Sequence, residues 1–241
     1  MDQDTIQIEF KKDSTDLVSK TIGVITQYIR KEALSPGDKL PSELNLAKEL
    51  KVSRTVVREA FRSLAAIRLI NLSAGKRATI AHLDHGAMSL MIEHGVLTEQ
   101  ISVQQIYDVR RTIEVRTVTL ASLRRSEAEA KSIRYHAMQM MEHINAPDKA
   151  MEHDLAFHFE IAKASKNPVF AIIVGAFQGV SRQSWSIGWR NRTQHGQREE
   201  MIQTHIDIAD AIVLGDPLKA NELMSAHFDD SIKVLIDAGL V

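Results

Sequence analysis

The chain has 241 residues, 44% of them hydrophobic and 25% charged, with a net charge of −1, an ordinary globular composition that suits one large domain or two small ones. It contains no cysteine, which excludes disulfides, thiolate metal sites and a cysteine nucleophile and leaves ten histidines as the main soft-metal candidates. No apolar run approaches the roughly 18 residues needed to span a bilayer, and the start has no signal-peptide core, so the expectation is a cytoplasmic protein with no membrane partner. The charge is unevenly spread. Residues 17–82 hold 12 Lys/Arg against 5 acids, about +7, whereas residues 83–241 hold 16 against 21, about −5. A basic first third suggests a polyanion-binding module joined to something else.

In chain order, residues 1–16 read as an N-terminal arm. The segment 17–34 places Val18, Ile22, Ile25 and Ile29 at helical spacing and is stopped by Ser35-Pro36-Gly37-Asp38. Ser42 caps a second helix whose apolar face is Leu44, Leu46, Ala47 and Leu50. Lys51-Val52 leave room only for a tight turn before Ser53 caps a third helix, whose inner face is Val56, Val57, Ala60, Phe61 and Leu64. Arg54, Arg58 and Arg62 lie four apart on its other face. The period then changes to two short strands, 69–72 and 78–81, around a hairpin tip at Gly75. Three helices, a tight second turn and a basic hairpin make a winged helix-turn-helix over residues 17–82. The arginine row begins in the first turn of the third helix, where a recognition helix meets base edges. A protein-interaction role for this module is the competing reading.

Residues 83–101 read as a linker holding one short helix interrupted at Gly95. Beyond it the pattern is helical throughout. Ser102–Gln105 and Ser126–Glu129 are capping boxes, and Ala146-Pro147, Asn167-Pro168 and Asp216-Pro217 open further helices with proline at the first position. Residues 185–198 show no steady period and read as a long loop containing Trp185, Trp189 and Arg190. The fold class is therefore mainly α: an N-terminal winged helix-turn-helix plus a C-terminal all-helical bundle of about six helices over 102–241.

Asp154 and His158, four apart, share one face of the third bundle helix. His205 and His227 lie on the last two helices, 22 residues apart, a spacing that lets antiparallel neighbours bring two imidazoles to similar height. One carboxylate and three imidazoles suit one divalent ion per chain, zinc first, with nickel or manganese as alternatives, and leave positions for water or an oxygen ligand. Two readings of Arg110 stand side by side: a fork aimed at a carboxylate effector, or an ion pair with Glu114. The adjacent His153-Asp154 dyad raises an enzyme alternative, an HD-type metal-dependent phosphohydrolase. Neighbouring helical residues point about 100° apart, which makes that dyad a poor chelate.

The run LPSELNLAKELKVSRTVVREAFRSLAAIRLI resembles the winged helix of GntR-type bacterial transcription regulators. VRRTIE, the spaced Asp154 and His158, ASKNP at 164–168, His205 and His227 resemble the FadR subgroup with its helical FCD ligand domain. The resemblance covers about residues 17–238 and is most similar to members controlling sugar-acid catabolism. It implies a DNA-binding regulator, a repressor in the simplest case, and not an enzyme. In it Arg54 and Arg58 reach guanines, Ser53 and Thr55 hold phosphates or bases, and Gly75 with Lys76 enter the minor groove. It also implies a homodimer on a palindromic operator and a small carboxylate effector coordinated to the metal. Three positions depart from the family pattern: Leu44 replaces an arginine, the wing tip lacks a G-x-G, and Arg68 stands where glycine is common.

Overall fold

The computed structural model describes residues 14–193 and 196–239, so most of the expected N-terminal arm lies outside the described residues. The chain divides into two compact units, Met1–Ala87 and Met88–Val241.

The first unit carries α1 (Ser14–Lys31), α2 (Glu43–Leu50), α3 (Arg54–Ala66), β1 (Ile70–Asn71) and β2 (Thr79–Ile80). Ile25, Leu40, Leu46, Val57, Phe61, Leu64 and Ile70 form its core. Ser42 and Ser53 cap α2 and α3 as their positions suggest, accepting from the Asn45 and Val56 amides. Lys51 ends α2 in the left-handed conformation (φ 51°), and this makes the turn between the two helices tight. The strands pair antiparallel with Ile70 opposite Ile80 and Asn71 opposite Thr79, and a bridge from Lys39 to Thr79 ties the wing back to the α1–α2 connection. Gly75 has φ +71° at the hairpin tip. Arg68 also has positive φ (59°), a conformation glycine adopts more cheaply, and its guanidinium is held 2.6 Å from Asp84.

The second unit is helical: α4 (Gly86–Leu97, which begins at the boundary), α5 (Val103–Arg124), α6 (Glu127–Glu142), α7 (Pro147–Ala164), α8 (Pro168–Ala176), α9 (Gln178–Asn191), α10 (Gln197–Leu214) and α11 (Pro217–Asp237). Both capping boxes form, and Asn167 and Asp216 cap α8 and α11. Gly215 ends α10 at φ +71°. Phe157, Phe228, Met140, Ile133, Ile202, Ile208 and Met224 fill the core.

Two expectations are corrected. Gly95 does not interrupt α4: a Cβ there would come within 2.7 Å of Ile101 Cδ1, so the glycine admits a close contact inside a continuous helix. Residues 185–191 are not loop but the second half of α9, which raises the helix count after residue 102 from about six to seven among the described residues. The inward face of α9 is Ser181, Ser184, Gly188 and Trp189 along with Val180, mostly small or polar, so it lacks the apolar stripe by which a helix is recognised.

Glu129 closes the α6 capping box and also receives Lys166 Nζ at 2.5 Å, from the turn after α7. The Lys166 and Ser126 contacts lower its pKa from 4.5 to about 2, so its stabilising effect is full above pH 4.5 and is lost as pH falls toward 2. Glu129→Gln keeps the capping geometry and loses the charge. We expect urea denaturation to show a loss of about 1 kcal/mol or less at pH 7, closing over that acid range.

Candidate functional site

On the first unit, Arg54 and Arg58 project from the start of α3 with side chains 62% and 45% exposed, and Thr55 and Arg62 are exposed beside them. Both arginines are steadied by one carboxylate. Glu43, at the first position of α2, accepts from Arg54 Nε at 3.1 Å and from Arg58 Nε at 3.4 Å. Sequence reasoning missed this role, which joins residues of two helices. The Ser53 hydroxyl oxygen is occupied as the cap of α3, which leaves its O–H as the outward donor. On the wing, Gly75, Lys76 and Arg77 are all exposed, and Arg77 donates Nε to the Leu40 carbonyl at 2.8 Å. Among the described residues of the hairpin, Lys76 is therefore the cation without a protein partner.

On the second unit, Asp154 and His158 of α7, His205 of α10 and His227 of α11 are all buried and converge. His205 stands ten residues before Gly215 and His227 eleven after Asp216, so the α10–α11 turn brings them level. Their ring centroids are 4.4 Å apart, and His158 lies 5.7 Å from His205 and 5.2 Å from His227. One ring nitrogen from each of the three falls within 4.8 Å of the others. His205 Nδ1 is 2.8 Å from the Met201 carbonyl, which fixes the proton there and turns the Nε2 lone pair inward. That Nε2 is 3.0 Å from Asp154 Oδ1 yet has no well-directed hydrogen bond.

Arg110 and Glu114, one turn apart on α5, are buried beneath this cluster. Arg110 Nε donates to Glu114 Oε1 at 2.7 Å, and its guanidinium lies over the Tyr107 and Phe228 rings at 5.1 and 5.2 Å. Glu114 Oε2 approaches His158 Nδ1 to 2.5 Å, so one carboxylate lies against both groups, although this nitrogen, like His205 Nε2, has no well-directed hydrogen bond. Of the two readings of Arg110, the ion pair with Glu114 is present, and Arg110 still lines the cavity beside the histidines. Arg111 instead reaches outward to Asp229 at 2.7 Å, and Arg116 is exposed.

Burial raises the cost of charge on Glu114 and Asp154, but the opposing groups win. Arg110 and His158 hold Glu114 below the usual carboxylate pKa, and His205, His158 and Arg110 do so for Asp154. Burial, then the neighbouring His205, His158, Arg110 and Arg192, push His227 well below an ordinary histidine, which favours its neutral, ligand-type form.

The cavity at this cluster is about 40 Å³, walled by Tyr107, Arg110, Trp185, Trp189 and Arg192 along with Asp154, His158 and His227. A second cavity of about 320 Å³ shares Arg192, Met201 and His227 with it. Arg192, which the sequence reading did not single out, is 8% exposed and bonds Asp230 at 2.5 Å. Trp185 and Trp189 stack at 4.7 Å on α9, while Arg190 points outward. His153 turns away from Asp154: its Nδ1 lies 3.0 Å from His136 Nδ1, so the HD dyad does not form a chelate.

A winged helix with an exposed arginine row and a separate helical unit define a DNA-binding transcription regulator, not an enzyme. The family description "FCD domain" matches residues 105–230 and "Bacterial regulatory proteins, gntR family" matches residues 18–80, and the chain belongs to the GntR-type regulators that carry an FCD domain. It is 28% identical over 215 residues to the HTH-type transcriptional regulator LutR of Bacillus subtilis (strain 168), covering 86% of this chain and 95% of that protein. It is 26% identical over 183 residues to the galactonate operon transcriptional repressor of Escherichia coli (strain K12), 73% and 78% of the two chains. The Uxu operon transcriptional regulator of the same strain is 27% identical over 229 residues, 89% and 84%. A solved structure titled Streptococcus agalactiae GntR shares the fold, with a TM-score of 0.65 at 22% identity over 90% of this chain and 99% of that one. Among the described residues no helix is long and apolar enough to cross a membrane.

Glu114→Ala leaves the Arg110 charge buried and unpaired. Denaturant titration should show a loss of about 3–5 kcal/mol, and the double replacement Arg110→Met/Glu114→Leu should cost clearly less.

Proposed function

We propose that the protein represses a catabolic operon from a palindromic operator as a homodimer, and that a small carboxylate or sugar-acid effector bound in the helical unit releases it. The carrying observation is the convergence of three imidazoles and one carboxylate from α7, α10 and α11 in a buried polar cavity. The donor set fits a divalent ion. Asp154 Oδ1 and His205 Nε2, 3.0 Å apart, have about the separation of neighbouring ligands with bonds near 2.1 Å, and the Nε2 is buried without a hydrogen bond. Asp154, His158, His205 and His227 would hold the ion, zinc in first place, with nickel or manganese as alternatives. Such an ion would supply open positions that attract a carboxylate oxygen. Arg110 adds fixed positive charge at the cavity wall, and Glu114 holds both it and His158 in place. The galactonate and Uxu relatives, named for operons, favour a sugar-acid effector for this chain.

On DNA, Arg54 and Arg58 suit guanine O6 and N7, each bidentate pair being worth about 1–3 kcal/mol of discrimination. Ser53, Thr55 and the wing residues Gly75 and Lys76 serve phosphates and the minor groove. Effector and operator then oppose one another by linkage, each weakening the other's binding by the same factor.

Fluorescence anisotropy with DNA from upstream of the protein's own gene tests both halves. Arg54→Ala/Arg58→Ala should abolish sequence-specific binding. His205→Ala should keep operator binding and lose release by small carboxylates. Retained specific binding in the first, or normal release in the second, contradicts the proposal.

A further inference from the structure

His136, His143 and His153 form a second histidine cluster, away from the buried one. The α6–α7 hairpin builds it. His136 lies seven residues before His143, the C-cap of α6, and His153 lies seven after Ala146, where α7 begins, so the antiparallel helices bring these positions level. The Nδ1 atoms of His136 and His153 face each other at 3.0 Å. The His143 ring stacks on His153 with centroids 5.7 Å apart and planes within 18°. Tyr135 packs its edge against His136 and His153, 5.4 and 6.0 Å away, limiting the freedom of both rings. All three imidazoles are half-buried, so solvent and ions reach them.

Two neutral imidazoles meeting Nδ1 to Nδ1 have two chemical explanations: they share one proton, or both lone pairs address one cation. The separation matches that of adjacent ligands on an ion with bonds near 2.1 Å. The close, half-buried approach of the two nitrogens favours a shared ion. Burial first, then His153 at His136 and His143 at His153, hold both imidazoles below an ordinary histidine against the opposing Glu160, Glu142 and Glu152, so their lone pairs stay available. Glu152 is paired with Arg182, Glu160 with Lys163, and Glu142 accepts from Gln139, so the imidazole nitrogens themselves carry the site.

We propose that His136 and His153 chelate a second divalent ion of the borderline transition series, zinc or copper in type, with His143 turning in as third ligand. Its ligand atoms are nearly all imidazole nitrogens, the choice of such ions over magnesium or calcium. The site clamps α6 to α7 across their connecting turn and leaves positions open to solvent. The three ligands contribute no side chain to the inner cluster.

Equilibrium dialysis of the full-length protein against micromolar free zinc, with circular dichroism as the folding check, tests it. Wild type should bind one ion more than His136→Ala/His153→Ala, and zinc should raise the thermal midpoint of wild type more than that of the variant. His143→Ala should bind the outer ion more weakly, and an unchanged affinity would remove it from the ligand set. Equal zinc content in wild type and His136→Ala/His153→Ala would overturn the proposal and leave a shared proton as the explanation. His205→Ala keeps this result separate from the inner site: it should lose the inner ion and retain the outer one.

Discussion

The second unit is organised around one buried carboxylate. Glu114 sits in the interior with Arg110 on one oxygen and His158 on the other, and neither partner could be buried at low cost without it. Arg110 also lies over the Tyr107 and Phe228 rings, so the charge is bordered by aromatic groups as well as paired. Such a cluster gives little net stability compared with an apolar core of the same shape. Its value is positional, because the side chains that face the cavity are locked by partners behind them. His205 is held in the same manner through the Met201 carbonyl.

The first unit shows the same device at an exposed surface. Glu43 gathers Arg54 and Arg58, so the two guanidiniums are prearranged before any polyanion arrives. Being exposed, these pairs are weak and salt-sensitive, and they can be exchanged for phosphate or base contacts at small cost. Arg77 serves structure instead, tying the wing to Leu40, and Lys76 remains outward at the tip.

Much of this was legible in the sequence. Caps at Ser53, Ser102, Ser126, Asn167 and Asp216 are local chemistry, so the helices after them could be placed from neighbouring residues alone. The i,i+4 pair Asp154/His158 and the 22-residue interval from His205 to His227 could be read because helical geometry converts them directly into direction and height. What escaped depended on tertiary context. The inner face of α9 borders a cavity, so Ser184 and Gly188 replace the apolar stripe that marks a core helix. Gly95 is set by the approach of Ile101, and the Glu43–Arg54–Arg58 group joins two helices. The trio His136, His143 and His153 is not legible in the spacing, because its symmetry about the α6–α7 turn emerges only once both helix ends are fixed.

The decisive measurement is anomalous diffraction at the zinc edge from crystals of the zinc-loaded protein. The account requires a peak about 2.0–2.2 Å from a nitrogen of each of His158, His205 and His227 and from a carboxylate oxygen of Asp154. A zinc-loaded crystal with no peak there, or with a peak that Asp154 and two of the three imidazoles do not reach, would contradict it.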